Sequence, residues 1–137
     1  MGKVEVMHSV NAISFFYIFV TTFIFKHLAM EKEKYLILQE LKSLLQSHLK
    51  NNLKEIVLFG SQVDAQKPLK DSDYDILILL NQSVDWKTQR LISDLCYEIE
   101  LKHNITIDTH ILSQEDLDTL RGKQPIFQNA LSTGLHV

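Results

Sequence analysis

Residues 74–80, YDILILL, constrain this chain more than any other stretch. A run so short and so apolar reads as a strand covered on both faces, so the fold needs packing layers on either side of a sheet. Two aspartates, Asp73 and Asp75, stand at its mouth, two residues apart. Strand side chains at that spacing share a face. Neighbouring carboxylates raise each other's pKa unless a cation sits between them. A hard divalent ion is the usual remedy, and magnesium takes a few carboxylates together with substrate phosphates.

From Met30 onward the pattern is α/β. Leu38, Leu41, Leu45 and Leu49, with Leu44 beside them, recur at helical spacing through about His48. Residues 55–59, EIVLF, read as a buried strand bounded by Gly60, and a polar loop containing Pro68 follows. After YDILILL comes an amphipathic helix over 86–102 with Ile92, Leu95, Cys96 and Ile99 on one face. Residues 105–112, ITIDTHIL, alternate and form a third strand, with Asp108 in its apolar middle, where an unpaired charge is costly. Ser113 reads as an N-cap with Asp116 three residues on. A last helix over 125–132 ends at Gly134, a natural C-cap.

The 137 residues suffice for one domain with one core. A net charge of -3 argues against general nucleic-acid binding, which needs basic surface, while leaving room for a local phosphate pocket. The single cysteine, Cys96, excludes an intrachain disulfide and reads as an inert buried thiol. A cytoplasmic location is the expectation. Residues 1–29 stand apart as an N-terminal extension, and the domain proper spans 30–137. Residues 10–25, VNAISFFYIFVTTFIF, are uncharged but somewhat short for a membrane span. No cleavage site makes them a convincing signal peptide. Three readings stay open for them: an upstream extension of the reading frame, a membrane anchor, or an extra core element.

The carboxylates have simpler readings too. Asp71-Ser72-Asp73 can be a solvated turn, and Asp108 can pair with a buried cation for structural reasons. An EF-hand fails, because Ile76 stands where its glycine is needed and Gln82 where its glutamate is needed. A P-loop fails at Gly122-Lys123-Gln124. The histidines His103 and His110 read as structural or surface residues, although His110 shares the face of Asp108 by period two. What favours chemistry is the order of the parts. A strand ends in Phe59-Gly60-Ser61, where glycine lets a phosphate approach the backbone and the serine can donate to it. The Asp-x-Asp strand, a helix and one more Asp-bearing strand follow.

Gly60-Ser61, eleven residues, then Asp73-Tyr74-Asp75 resembles the signature of the polymerase-β-like minimal nucleotidyltransferases. LFGSQ, DSDYDILILLN and IDTHIL match that family at corresponding places, and the resemblance covers about residues 31–137. It implies an α/β (α+β) fold, a small mixed β-sheet flanked by helices. It implies a magnesium-dependent transferase moving NMP, AMP above all, from ATP or another NTP to an acceptor. Asp73, Asp75 and Asp108 would be the catalytic ligands of two Mg2+ ions, Asp108 helping to deprotonate the attacking hydroxyl. Gly60 and Ser61 would hold the β- and γ-phosphates, with Lys67 or Lys70 supplying positive charge. A chain this short implies an acceptor on a separate chain. Similar domains pair with HEPN-type helical proteins in toxin–antitoxin modules, modifying a tyrosine of the partner. The chain departs from the family's Gly-Ser-x-x-Arg-Gly, having Asp64 and Ala65 in place of arginine and glycine. That departure keeps two alternatives open: a degenerate domain that binds a partner without catalysis, and an antibiotic-modifying transferase.

Overall fold

The computed structural model describes the backbone of residues 2–63 and 73–137, and side chains at 11–26, 28, 29, 31–63 and 73–137. The elements are α1 (Gly2–Leu49), β1 (Leu53–Phe59), β2 (Tyr74–Leu80), α2 (Trp86–His103), β3 (Ile107–Ser113), α3 (Pro125–Thr133) and β4 (Leu135–His136). Two compact units divide the chain, Met1–Leu36 and Ile37–Val137. In the first, residues 11–25 are helical with almost every side chain exposed, and the helix that carries them is long and apolar enough to cross a membrane by length and composition.

The second unit is built on a four-stranded sheet of order β3-β2-β1-β4. Its β1 runs antiparallel to both β2 and β4, while β2 and β3 are parallel. A parallel pair needs a long crossover, and α2 supplies it. The double-sided burial expected of β2 is present, and period two sorts the residues. Ile76, Ile78 and Leu80 of β2 join Ile56 and Leu58 of β1 in one core cluster. Against it pack Ile37, Leu38, Leu41 and Leu45 at the C-terminal end of α1, and Ile92, Leu95, Cys96 and Ile99 of α2. On the other face, Val57, Phe59, Leu77, Leu79 and Leu112 form a smaller cluster with Phe127 and Ala130 of α3. Burying each such aliphatic side chain contributes roughly 1.5–3 kcal/mol. Burial pushes the Cys96 thiol up, as an inert core thiol requires.

Local chemistry sets the boundaries. The carboxylate of Asp85 caps α2 by accepting from the Thr88 N–H at 2.7 Å. The helix stops at Asn104, which is left-handed with φ 52°. The turn after it uses up residues 105 and 106. The Ile105 N–H donates to the Glu100 carbonyl, and the Ile107 N–H to the Glu100 carboxylate. So β3 begins at Ile107, two residues later than the alternation suggests. Ser113 and Asp116 do exchange the reciprocal bonds of a capping box. Ser113 is nevertheless the last residue of β3, and only a single 3-10 turn, Asp116–Asp118, follows.

Gly134 caps α3, but its backbone is extended rather than left-handed. Its need for glycine is one of space: a Cβ there would lie 2.4 Å from both the Ala130 carbonyl oxygen and Val57 Cγ1. This close approach lets β4 turn back onto β1, pairing His136 with Val57. His136 then binds the Glu55 carboxylate through Nδ1 and the Leu131 carbonyl through Nε2. Both partners are acceptors, so both ring nitrogens donate only when the imidazole is charged. The bond to Glu55 accordingly raises the His136 pKa from its ordinary 6.5, with the Leu131 carbonyl adding to it.

A histidine raised in the folded state stabilises fully below its unfolded pKa and loses that contribution as pH rises through the folded value. His136→Ala is therefore expected to lower the melting temperature most at about pH 6 and much less at about pH 9. Thermal melts of both proteins across that range check it. A deficit independent of pH would mean that the clasp acts through packing alone.

Candidate active site

The site residues lie on the α3 face of the sheet, at the end where β1 finishes and β2 begins. Pairing in β2–β3 sets Asp75 opposite Asp108, and pairing in β1–β2 sets Phe59 opposite Asp75. The next residue, Gly60, turns the chain away with φ 71° into a 3-10 turn, Gly60–Gln62. A Cβ on Gly60 would lie 2.2 Å from Asp75 Oδ2. Glycine is thus required twice over, for a left-handed conformation and for close approach to the carboxylate.

Oxygens of Asp75 and Asp108 and a ring nitrogen of His110 all lie within 4.8 Å of one another. The Asp75 pKa is raised, first by burial of the carboxylate and then by the charge of Asp108, with Asp73 adding to it and His110 opposing it. Two of the three carboxylates expected to converge are therefore in direct proximity. Asp73 is exposed just before β2, outside that tight group, yet its charge is felt at Asp75. Ser61 lies in the turn after Gly60, half-buried, and Gln62 beside it is buried. Lys67 and Lys70, like Asp64 and Ala65, lie outside the described residues.

One expectation is corrected. Asp108 is neither in the middle of its strand nor buried. It is the second residue of β3, and its side chain is 58% exposed. An edge strand that starts at Ile107 leaves its second side chain at the open end of the sheet, where solvent reaches it. Its charge therefore needs no buried counterion.

His110 contributes more than a surface histidine does. Its ring packs against Phe59 at 5.5 Å and edge-on against Phe127 at 5.8 Å between centroids. Its Nε2 sits 3.5 Å from Asp108 Oδ2. The packing fixes the ring and the carboxylates meet its tip. Period two from Asp108 was the sequence signal for this, and Phe127, far along the chain, is what holds the ring in place.

A donor set of two carboxylates with like charges, one of them partly desolvated, suits a hard divalent cation. The glycine opposite leaves backbone accessible beside them. Phosphate-sized anions are held by just such exposed amides.

The sequence profile of the family described as Polymerase beta, Nucleotidyltransferase matches residues 39–130. The chain belongs to the polymerase β nucleotidyltransferase family. A relative in Methanocaldococcus jannaschii, whose assignment as a protein adenylyltransferase is itself an inference, is 30% identical over 105 residues. That alignment covers 77% of this chain and 96% of the relative. Among solved structures, a mutant of the toxin–antitoxin MntA-HpeT superposes with a TM-score of 0.50 at 17% identity, over 72% of this chain and 69% of that one. A looser match is the complex of a tri-AMPylated Shewanella oneidensis HEPN toxin with its MNT antitoxin. It gives a TM-score of 0.48 at 18% identity, over 74% and 69% of the two chains. This nucleotidyltransferase thus has the family's mixed sheet with helices on both faces, and its acidic pair stands at the sheet end where β1 gives way to the Gly60 turn.

Proposed function

We propose that this nucleotidyltransferase transfers AMP from ATP to a hydroxyl of a separate partner protein, with Asp73, Asp75 and Asp108 binding two magnesium ions. The observation that carries the reading is the juxtaposition of Asp75 and Asp108 across β2 and β3, beside a left-handed glycine whose Cβ would crowd the Asp75 carboxylate. Magnesium, when bound, neutralises the triphosphate and the developing pyrophosphate. The protein's own part is placement and charge. Gly60 and Ser61 offer backbone and hydroxyl donors to the terminal phosphates, to which Lys67 and Lys70 would add positive charge. Asp108, the exposed carboxylate, accepts the proton of the acceptor hydroxyl. The hydroxyl oxygen then bonds to the α-phosphorus as the bond to the β-phosphate oxygen breaks, and pyrophosphate leaves with that electron pair.

The protein class of the acceptor is supported by the activity assigned to the M. jannaschii relative. The partner that the family resemblance implies is a HEPN-type helical toxin modified on tyrosine, and the MntA-HpeT structure of the same fold is itself a toxin–antitoxin. Co-expression with such a partner, followed by intact-mass analysis, is expected to show adenylyl adducts on the partner that depend on Asp108. A second reading, partner binding without catalysis, is favoured by Asp64 where the family carries arginine. If the partner is neutralised without any adduct, and Asp73→Ala, Asp75→Ala neutralises it equally, that second reading replaces the first.

A further inference from the structure

The segment that the transferase reading leaves unused is the apolar run of α1. Between Glu5 and Lys26 no residue is Asp, Glu, Lys or Arg, so residues 6–25 form an uncharged run of 20. All of it lies within the helix Gly2–Leu49. At 1.5 Å per residue the run is about 30 Å long, the thickness of a bilayer's hydrocarbon core. The stretch VNAISFFYIFVTTFIF looked short for a span only because the count began at Val10.

Its apolar character goes all the way round. Phe15, Phe16, Tyr17, Ile18 and Phe19 are consecutive, and steps of about 100° carry five such residues around the whole helix. Each is between 63% and 76% exposed. A helix that docks in a protein groove needs one apolar stripe and keeps a polar back, whereas one apolar on every side is built for lipid. The two threonine hydroxyls inside the run are satisfied without water. Thr21 and Thr22 donate back to the carbonyls of Tyr17 and Ile18, each at 2.7 Å. Such bonding lets threonine reside in hydrocarbon.

The flanks give a direction. Lys26, Lys32 and Lys34 follow the run closely, against Lys3 before it. Basic residues favour the cytoplasmic side, and acidic ones such as Glu31 and Glu33 count little in that rule.

We propose that residues 6–25 form a single bilayer-spanning helix that tethers the nucleotidyltransferase domain to the cytoplasmic face of a membrane. The tether confines the transferase to acceptors that meet the membrane surface. The inference is independent of which acceptor is modified.

Cell-free synthesis of the full chain with vesicles of phosphatidylethanolamine and phosphatidylglycerol, followed by density flotation, tests it. The expected result is that the chain floats with the vesicles and resists alkaline carbonate. The double variant F16K, F19K should remain at the bottom while keeping the circular dichroism of the folded domain. Three outcomes overturn the proposal: a soluble or aggregated wild type that does not float, flotation that carbonate reverses, or a variant that floats as well as the wild type. A chain kept soluble by a co-synthesised protein partner, with no vesicle association, overturns it too.

Discussion

Asp75→Asn is expected to abolish transferase activity while leaving the protein folded and slightly more heat-resistant. The substitution keeps the shape and removes the charge. Burial and the charges of Asp108 and Asp73 hold the Asp75 carboxyl above its usual 3.8, so its ionised form is disfavoured in the fold. A carboxylate raised in the folded state favours folding at acid pH and loses that contribution as pH rises through the folded value. At neutral pH, then, its charge strains the metal-free protein. Its partial exposure limits the relief to roughly 0.5 kcal/mol, because solvent screens such pairs. A domain of this size converts that into about 2–4 °C of melting temperature. Activity should fall by at least about 10²–10³-fold, the scale seen when one charge-stabilising group is removed. Melting curves without divalent ions and initial rates with magnesium check the two halves. Lower stability together with retained turnover would show that Asp75 is a structural residue.

Gly60→Ala should damage the site itself, through the backbone and through Asp75. The left-handed backbone at φ 71° costs an L-residue about 1–2 kcal/mol. The added Cβ would also overlap Asp75 Oδ2, 2.2 Å away, so the carboxylate must swing aside. Both stability and nucleotide binding are expected to suffer. Gly134→Ala provides the contrast. Its Cβ meets Ala130 and Val57, away from the acidic pair, so it should loosen β4 and lower the melting temperature without selective loss of nucleotide affinity. Denaturant titrations and nucleotide-binding isotherms on both variants separate the cases. Equal loss of affinity in the two would mean that Gly60 acts through general stability.

Much of the fold was legible because its signals were local. The seven residues of β2 declared two-sided burial by composition alone, and α2 showed Ile92, Leu95, Cys96 and Ile99 on one stripe. Period two also placed His110 on the face of Asp108. Less legible was whatever depended on distant partners. β4 has only two residues and no periodicity, and it exists because Gly134 fits against Val57 while His136 finds Glu55. The start of β3 was obscured because Ile105 looks like a strand residue while its N–H is spent on closing α2. Asp108 looked buried from its apolar neighbours in sequence, yet an edge strand's second position opens to solvent. For the site, pattern and spacing named the acidic residues, but only the parallel register of β2 and β3 brings Asp75 and Asp108 side by side.

In the proposed reaction this acidic pair holds divalent metal together with a nucleoside triphosphate. Titration calorimetry of the full chain in mild detergent with ATP, with and without magnesium, tests it most directly. The expected result is binding that requires magnesium and disappears in Asp108→Asn, whose fold should be intact. ATP binding that is indifferent to magnesium, or absent from a well-folded wild type, would contradict it.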